Sequence, residues 1–194
     1  KLLNDGVAPA SIFDVLVQGS GELLMQAPGI LSLHATTFSN AVRYCWNHAG
    51  SDDTRRLLLL QNSAFLPLFR GNRQDSGKHL DSLEPIAPDH TGTEAVAEIF
   101  DEISTDRLKA ARKALAWLQG GGDPGVFSDA ARRMIFLKGR DSHDYKFSSA
   151  VLEDYLQMAP SVRDRFLAAS VFYLKGAKDK DNGVVQRTRA ALAG

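Results

Sequence analysis

Residues 141–158 read DSHDYKFSSAVLEDYLQM, and this stretch shows most directly how the chain folds. Asp141 is a typical N-cap residue, and Asp144 three positions later resembles a capping box with a shortened acid. The apolar residues that follow recur at helical spacing and define one buried face: Phe147, Val151, Tyr155 and Met158. The stretch therefore predicts an amphipathic helix with a capped N-terminus.

The rest of the chain has the same helical pattern. Segments with helical spacing are separated by Gly, Pro and capping residues, and no alternating run has the length and flanking turns of a strand. Four consecutive leucines at 57–60 cover every side of a helix, which predicts that this helix is central to the core and that Pro67 ends or kinks it. Residues 71–92 have little periodicity and predict a long loop. We therefore expect an all-α single domain over residues 1–194, a multi-helix bundle of about eight to nine helices.

The charge balance excludes some classes of partner. Lys and Arg together number 23, as do Asp and Glu, so the formal net charge is zero. Such a chain has no long-range field that favours nucleic acid or an anionic membrane, and no apolar run approaches the roughly 18 residues of a membrane span. A small-molecule ligand is the expected partner. Association with a second copy, or with a missing N-terminal portion, stays open.

The cysteine content indicates the redox compartment, and the first residue indicates processing. Cys45 is the only cysteine, which excludes an internal disulfide and any Cys-rich zinc or iron–sulfur site. A reducing, cytoplasmic location is expected, although a disulfide-free exported protein would have the same composition. The chain begins with Lys1 and not with Met, so we expect a processed part or fragment of a longer protein. The common nucleotide-binding, serine-hydrolase and zinc-protease motifs are missing.

The helix that begins near Asp141 carries the first candidate site residues. The acids Asp141 and Asp144 suit the positive end of the helix dipole, but this explains neither His143 nor Lys146. His143 falls at the edge of the buried face, within about 40° of Phe147, and Lys146 lies on the polar flank of that edge. A neutral imidazole can accept a proton or bind a metal. His143 is therefore either a half-buried histidine bonded to backbone or part of a site.

His34 is the second candidate, on an earlier helix. It shares a face with apolar residues and is expected to point inward, where an imidazole needs a hydrogen-bond partner such as Thr37 or Glu22. Glu22 itself lies in an apolar stretch, and a pair with His34, or a metal between them, would satisfy both groups. The remaining histidines are expected at the surface: His48, His79 and His90.

Two segments, "HATTFSNAVRY" (34–44) and "FLKGRDSHDYKFSSAVLEDY" (136–155), together resemble the C-terminal half of the questin oxidase-like proteins. His34, Thr36 and Thr37 match an H-[AG]-x-T segment of that family. A later G-D-x-H-x-x-K-x-x-x-A segment is matched, with one additional residue after the glycine, by four residues: Asp141, His143, Lys146 and Ala150. The resemblance implies an all-helical oxidoreductase that cleaves polycyclic aromatic ketones in a Baeyer–Villiger manner with electrons from NADPH. No nicotinamide-binding motif is present, so the cofactor stays open.

Three functional hypotheses follow. The first is an oxidoreductase with a His-centred pocket between the helices at 30–49 and 142–158, acting on a small hydrophobic or aromatic ketone, with the 71–92 loop as its cover. Its catalytic residues would be His34 and His143 at the centre, Lys146 as a partner for an oxyanion, and Asp141 and Asp144 as the residues that orient them. The second is a metal- or haem-binding protein with His34, His143 and Glu22 as ligands. The third is a non-catalytic helical module that binds another protein through an exposed apolar patch. The distance between the two imidazoles decides whether a shared site exists.

Overall fold

The computed structural model describes residues 1–72 and 75–193, and in these residues it contains nine α-helices and no strand. In chain order the helices are α1 (Pro9–Gln26), α2 (Ile30–His48), α3 (Asp52–Arg70), α4 (Gly92–Ile103), α5 (Arg107–Gln119), α6 (Pro124–Lys138), α7 (Ser142–Gln157), α8 (Pro160–Ser170) and α9 (Gly183–Leu192). The predicted all-α fold and the number of helices are confirmed. None of the helices described is long and apolar enough to cross a lipid bilayer.

Two apolar clusters organise the packing. The larger one draws residues from α1, α2, α4, α5, α6, α7 and α8, and its buried rings include Phe100 and Phe127 with centroids 5.1 Å apart. The smaller one lies between α1, α2 and α3 and contains Phe13, Leu16, Val42 and Leu59. Helix α2 packs against α1, α3 and α7, and α1 also packs against α8, so the α2–α7 and α1–α8 contacts together join the α1–α3 layer to the rest of the bundle.

The leucine run at 57–60 does not lie at the centre of the core. Leu59 is buried, but Leu57 is 66% exposed and Leu60 62% exposed. Helix α3 packs mainly on α1 and α2, so only one of its faces is covered. The prediction that this helix is central was wrong. A helix with apolar residues on every side can still be packed against other helices on one face only.

Helix α3 also continues past Pro67. Its last residue is Arg70, and Gly71 at φ 59° ends the helix in the left-handed region that glycine tolerates. Pro67 was expected to end or kink the helix; it does not end it, and almost one further turn follows. That turn carries Phe69.

The predicted long loop connects α3 to α4, and polar contacts hold its described part against the bundle. Arg165 donates to the carbonyls of Leu80 and Leu83 at 2.8 and 3.0 Å. Near the loop's end, the carboxylate of Glu98 on α4 accepts the backbone N–H groups of Asp89 and His90. Such contacts fasten residues 75–91 to α4 and α8.

Candidate functional site

Helices α2 and α7 bring His34 and His143 together. The two imidazole centroids are 5.4 Å apart, and the ring planes meet at 79° in an edge-to-face arrangement. Both residues are partly buried. Residues that are 109 positions apart in the sequence thus share one cleft between two packed helices.

The N-cap of α7 determines where His143 lies. The Oδ1 atom of Asp141 accepts the backbone N–H groups of His143 at 2.9 Å and Asp144 at 3.3 Å. These hydrogen bonds lower the pKa of Asp141. The same Oδ1 atom is 3.5 Å from Nδ1 of His143. Asp141 is therefore both the predicted cap and the carboxylate nearest to the imidazole.

Asp144 has a different position from the one predicted. Its side chain is buried, Oδ2 accepts the backbone N–H of Arg140 at 2.8 Å, and Oδ1 pairs with Nζ of Lys175 at 2.8 Å. Asp144 does not line the cleft. It was expected to orient the histidine, but it anchors the start of α7 to the segment after α8.

The cleft has a volume of about 540 Å³. Its polar lining includes Lys146, whose side chain is exposed, and Asn40, whose Nδ2 donates to Oε2 of Glu153 across the α2–α7 interface at 3.3 Å. Thr37 also lines the cleft, but its hydroxyl donates to the backbone carbonyl of His34 at 3.5 Å. Thr37 therefore bonds the backbone of His34, whereas a bond to the imidazole was expected. The whole lining consists of Leu33, His34, Thr37, Phe38, Asn40, Ala41, Phe69, His143, Lys146 and Ala150.

Aromatic rings form the apolar wall of the cleft. Phe38 on α2 and Phe69 on α3 both line it, with centroids 5.7 Å apart, and Phe65 stacks on Phe38 at 5.0 Å. Phe65 and Phe69 were not assigned to a site from the sequence, because the pocket was placed between α2 and α7 and α3 was expected to end or kink at Pro67. The spacing of Phe65 and Phe69, one helical turn apart, was the available signal. The 71–92 loop was expected to cover the cleft, but none of its described residues lines it.

Glu22 does not approach the two histidines. Its Oε1 is 3.3 Å from Nδ1 of His79, and its Oε2 accepts the backbone N–H of Leu80 at 3.0 Å. The bond to Glu22, followed by the charge of Asp75, raises the pKa of His79. The ligand set of His34, His143 and Glu22 is therefore not brought together. The described residues contain no group of three or more His, Cys, Asp or Glu side chains with the geometry to hold a metal ion.

A buried ion cluster lies one helical turn beyond the cleft on the same two helices. Asp154 on α7 is fully buried, and its Oδ1 lies 3.7 Å from Nη1 of Arg43 on α2. Arg43 donates a shorter bond to Asp14 at 3.0 Å. Within the described part of the chain neither oxygen of Asp154 accepts a hydrogen bond. Burial raises the pKa of Asp154 to about 7, although the charge of Arg43 and the nearby side-chain amide of Asn40 oppose the shift.

Comparison with known proteins adds no relative to this picture. No family model matches the chain, and neither a curated protein nor a solved structure matches it. The resemblance to the questin oxidase-like proteins stays a prediction.

Proposed function

We propose that the cleft between α2 and α7 is the acid–base site of a helical oxidoreductase that acts on a small aromatic ketone. The observation that carries the proposal is the 5.4 Å separation of the His34 and His143 rings in one cleft. A neutral imidazole accepts a proton and an imidazolium donates one, so two adjacent imidazoles can divide these roles. The aromatic wall of Phe38 and Phe69 offers an apolar surface for a flat substrate.

Lys146 has the third role in this proposal. Lys146 lines the same cleft as the imidazoles, four positions before Ala150 on the adjacent turn of α7. A fixed positive charge stabilises an oxyanion that develops on a ketone oxygen during attack. Asp141 would orient His143 through the contact at Nδ1. A carboxylate beside Nδ1 favours the tautomer in which Nδ1 carries the proton, so that Nε2 can accept one.

The redox half of the proposal comes from the resemblance alone. It implies that one ketone, one O₂, one NADPH and one proton give one ester, one NADP⁺ and one water. The electrons come from NADPH and the inserted oxygen comes from O₂. The acid–base roles of the histidines do not depend on which electron donor is used.

The test is to incubate the purified protein with 2-acetonaphthone, NADPH and air, and to measure 2-naphthyl acetate by mass spectrometry. We expect His143→Gln to lower the rate about 100-fold, as for a lost acid or base, while the unfolding midpoint stays close to wild type. His48→Gln is the matched control, since that exposed histidine ends α2 and does not line the cleft. Equal losses of rate and stability in His143→Gln would show a structural histidine and refute the proposal. Absence of any ester from the wild-type protein would count equally against it.

One observation favours a second candidate function, a protein-binding module. Leu57, Leu60 and Leu68 are each more than 60% exposed and lie along one face of α3. Several exposed large apolar side chains on one helix face are typical of interaction sites. If association is the main function, Leu60→Glu will abolish it in sedimentation experiments and the two imidazoles will be dispensable.

A further inference from the structure

The cleft between α2 and α7 is lined by basic groups without acidic ones. His34, His143 and Lys146 all line it, and none of its described lining residues is Asp or Glu. A groove of similar volume beside α4, about 520 Å³, is predominantly acidic: besides His90 and Lys178, four carboxylates line it, namely Glu94, Glu98, Asp101 and Glu102. The formal net charge is zero, so the positive character of the first cleft is local.

The basic groups of the cleft have few partners within the protein. Lys146 forms no ion pair with any described residue, whereas the buried Lys113 pairs with Asp89, Glu98 and Glu102. The ring of His34 makes no hydrogen bond to any described residue, and its one ring contact is with His143. His143 has a single nearby carboxylate, Asp141, on Nδ1. An anionic ligand could therefore bind hydrogen-bond donors of Lys146 and the imidazoles that few carboxylates of the protein already occupy.

The aromatic side chains that line the cleft indicate that its ligand also has an apolar part. Phe38 and Phe69 cover one side of the cleft, so a ligand that uses the whole surface combines a flat apolar body with an acidic group. Hydrogen bonds from cations to carboxylates are roughly twice as strong as neutral ones, and an apolar wall excludes water that would weaken them.

We infer that the ligand of this cleft is an organic anion, an aromatic carboxylate whose acidic group binds Lys146 and an imidazole. The inference rests on the proposed function in that it takes the same cleft as the ligand site. It adds a requirement that the ketone chemistry does not include, namely a negative charge on the molecule that binds. An aromatic keto acid satisfies both.

The test compares 2-naphthoate with 2-acetonaphthone, a neutral ketone of similar size, as probes. Binding is followed by NMR through the imidazole signals of His34 and His143, assigned with His34→Gln and His143→Gln. We expect the wild-type protein to bind 2-naphthoate about tenfold more tightly than the ketone, as is typical for one charged hydrogen bond. Lys146→Met should lower 2-naphthoate affinity by about the same factor and change ketone affinity less than about twofold. Lys180→Met is the control, since Lys180 is exposed and does not line the cleft.

The outcomes separate the two proposals. Equal affinities for the two probes would overturn the anion inference and leave the cleft as a ketone site. An effect of Lys180→Met equal to that of Lys146→Met would also overturn it, because the preference would then be a general charge effect. If neither probe shifts the two imidazole signals, both the inference and the proposed function fail. Tighter binding of 2-naphthoate that depends on Lys146 supports the inference even where no ketone is converted.

Discussion

Asp154 should make the protein less stable as the pH rises towards neutrality, and replacing it with Asn should remove this effect. The side chain is fully buried on α7, and burial raises its pKa from 3.8 to about 7. Arg43 lies 3.7 Å from Oδ1, too far for a direct hydrogen bond. An ionised Asp154 therefore remains poorly compensated, which is the physical basis of the expected effect.

The sign follows from proton linkage. Below about pH 4 the carboxyl is protonated in the folded and the unfolded state, so it contributes nothing to the pH dependence. Between about pH 4 and about pH 7 the folded state keeps a proton that the unfolded state has released, so the free energy of unfolding falls as the pH rises. Above about pH 7 both states are ionised and the loss is complete.

The magnitude follows from the same shift. A difference of about three pKa units, at about 1.36 kcal/mol each, corresponds to about 4 kcal/mol lost at high pH. Asp154→Asn carries a neutral amide of the same shape and has no such loss. The difference in the free energy of unfolding between Asp154→Asn and the wild type should increase by about 3 kcal/mol between about pH 5 and about pH 8.

The assay is urea unfolding followed by far-ultraviolet circular dichroism at several pH values in this range. His79 and His90, whose pKa values are raised by Glu22 and Glu98, lose their stabilising contribution as the pH rises, but they do so in both proteins and cancel in the difference. Asp129→Asn, a change of the same chemistry at an exposed position, should give no such growth. A constant difference between Asp154→Asn and wild type would show that Asp154 is already ionised at pH 5, and would refute the reasoning.

Three further predictions concern stability and are checked by the same unfolding measurement. Lys113→Met should lower the free energy of unfolding by about 3–5 kcal/mol, because it removes the buried partner of Glu98, whose pKa is lowered to about 2. A decrease below about 1 kcal/mol would contradict a structural role for this ion pair. Gly176→Ala should lower the free energy of unfolding by about 1–3 kcal/mol, since a Cβ there would clash with Oγ of Ser104, and a neutral effect would mean that Ser104 moves aside freely. Asp141→Ala should cost about 1 kcal/mol through loss of the N-cap of α7, and Asp141→Asn, which keeps a capping oxygen, should recover most of it.

Helical phase explains why part of the candidate site could be predicted. The spacing around Phe147 placed His143 at the edge of a buried face, and both features hold in the structure, where Phe147 is buried and His143 partly buried. The cap at Asp141 was predicted for the same local reason. Such features depend on residues within one or two turns, which is the range that a sequence pattern can describe.

Features that depend on distant partners were missed. The partner of Glu22 is His79, which is 57 positions away in a segment without periodicity, so the predicted pair with His34 was wrong. Asp144 was expected to orient His143, but it pairs with Lys175, and only the packing of the chain after α8 brings that lysine near. The leucine run at 57–60 showed that α3 is hydrophobic on every side. It could not show how many other helices pack against α3, because this number depends on the whole bundle.

The interface between α2 and α7 concentrates polar groups that packing alone would not select. Side-chain pairs cross it along most of its length: His34 with His143, Asn40 with Glu153, Arg43 with Asp154, and Asn47 with Gln157. The larger cluster, by contrast, is built from apolar side chains. A buried, poorly compensated carboxylate lowers stability, and such groups are enriched at functional sites. We therefore expect the helix pair that forms the cleft to be less stable than an apolar pair would be. Asp154→Asn should raise the free energy of unfolding, and His143→Gln should lower turnover, as two results of this one arrangement. Asp154 does not line the cleft, but it is buried on one of the two helices that form it, and it therefore supports the proposal through a group other than the histidines.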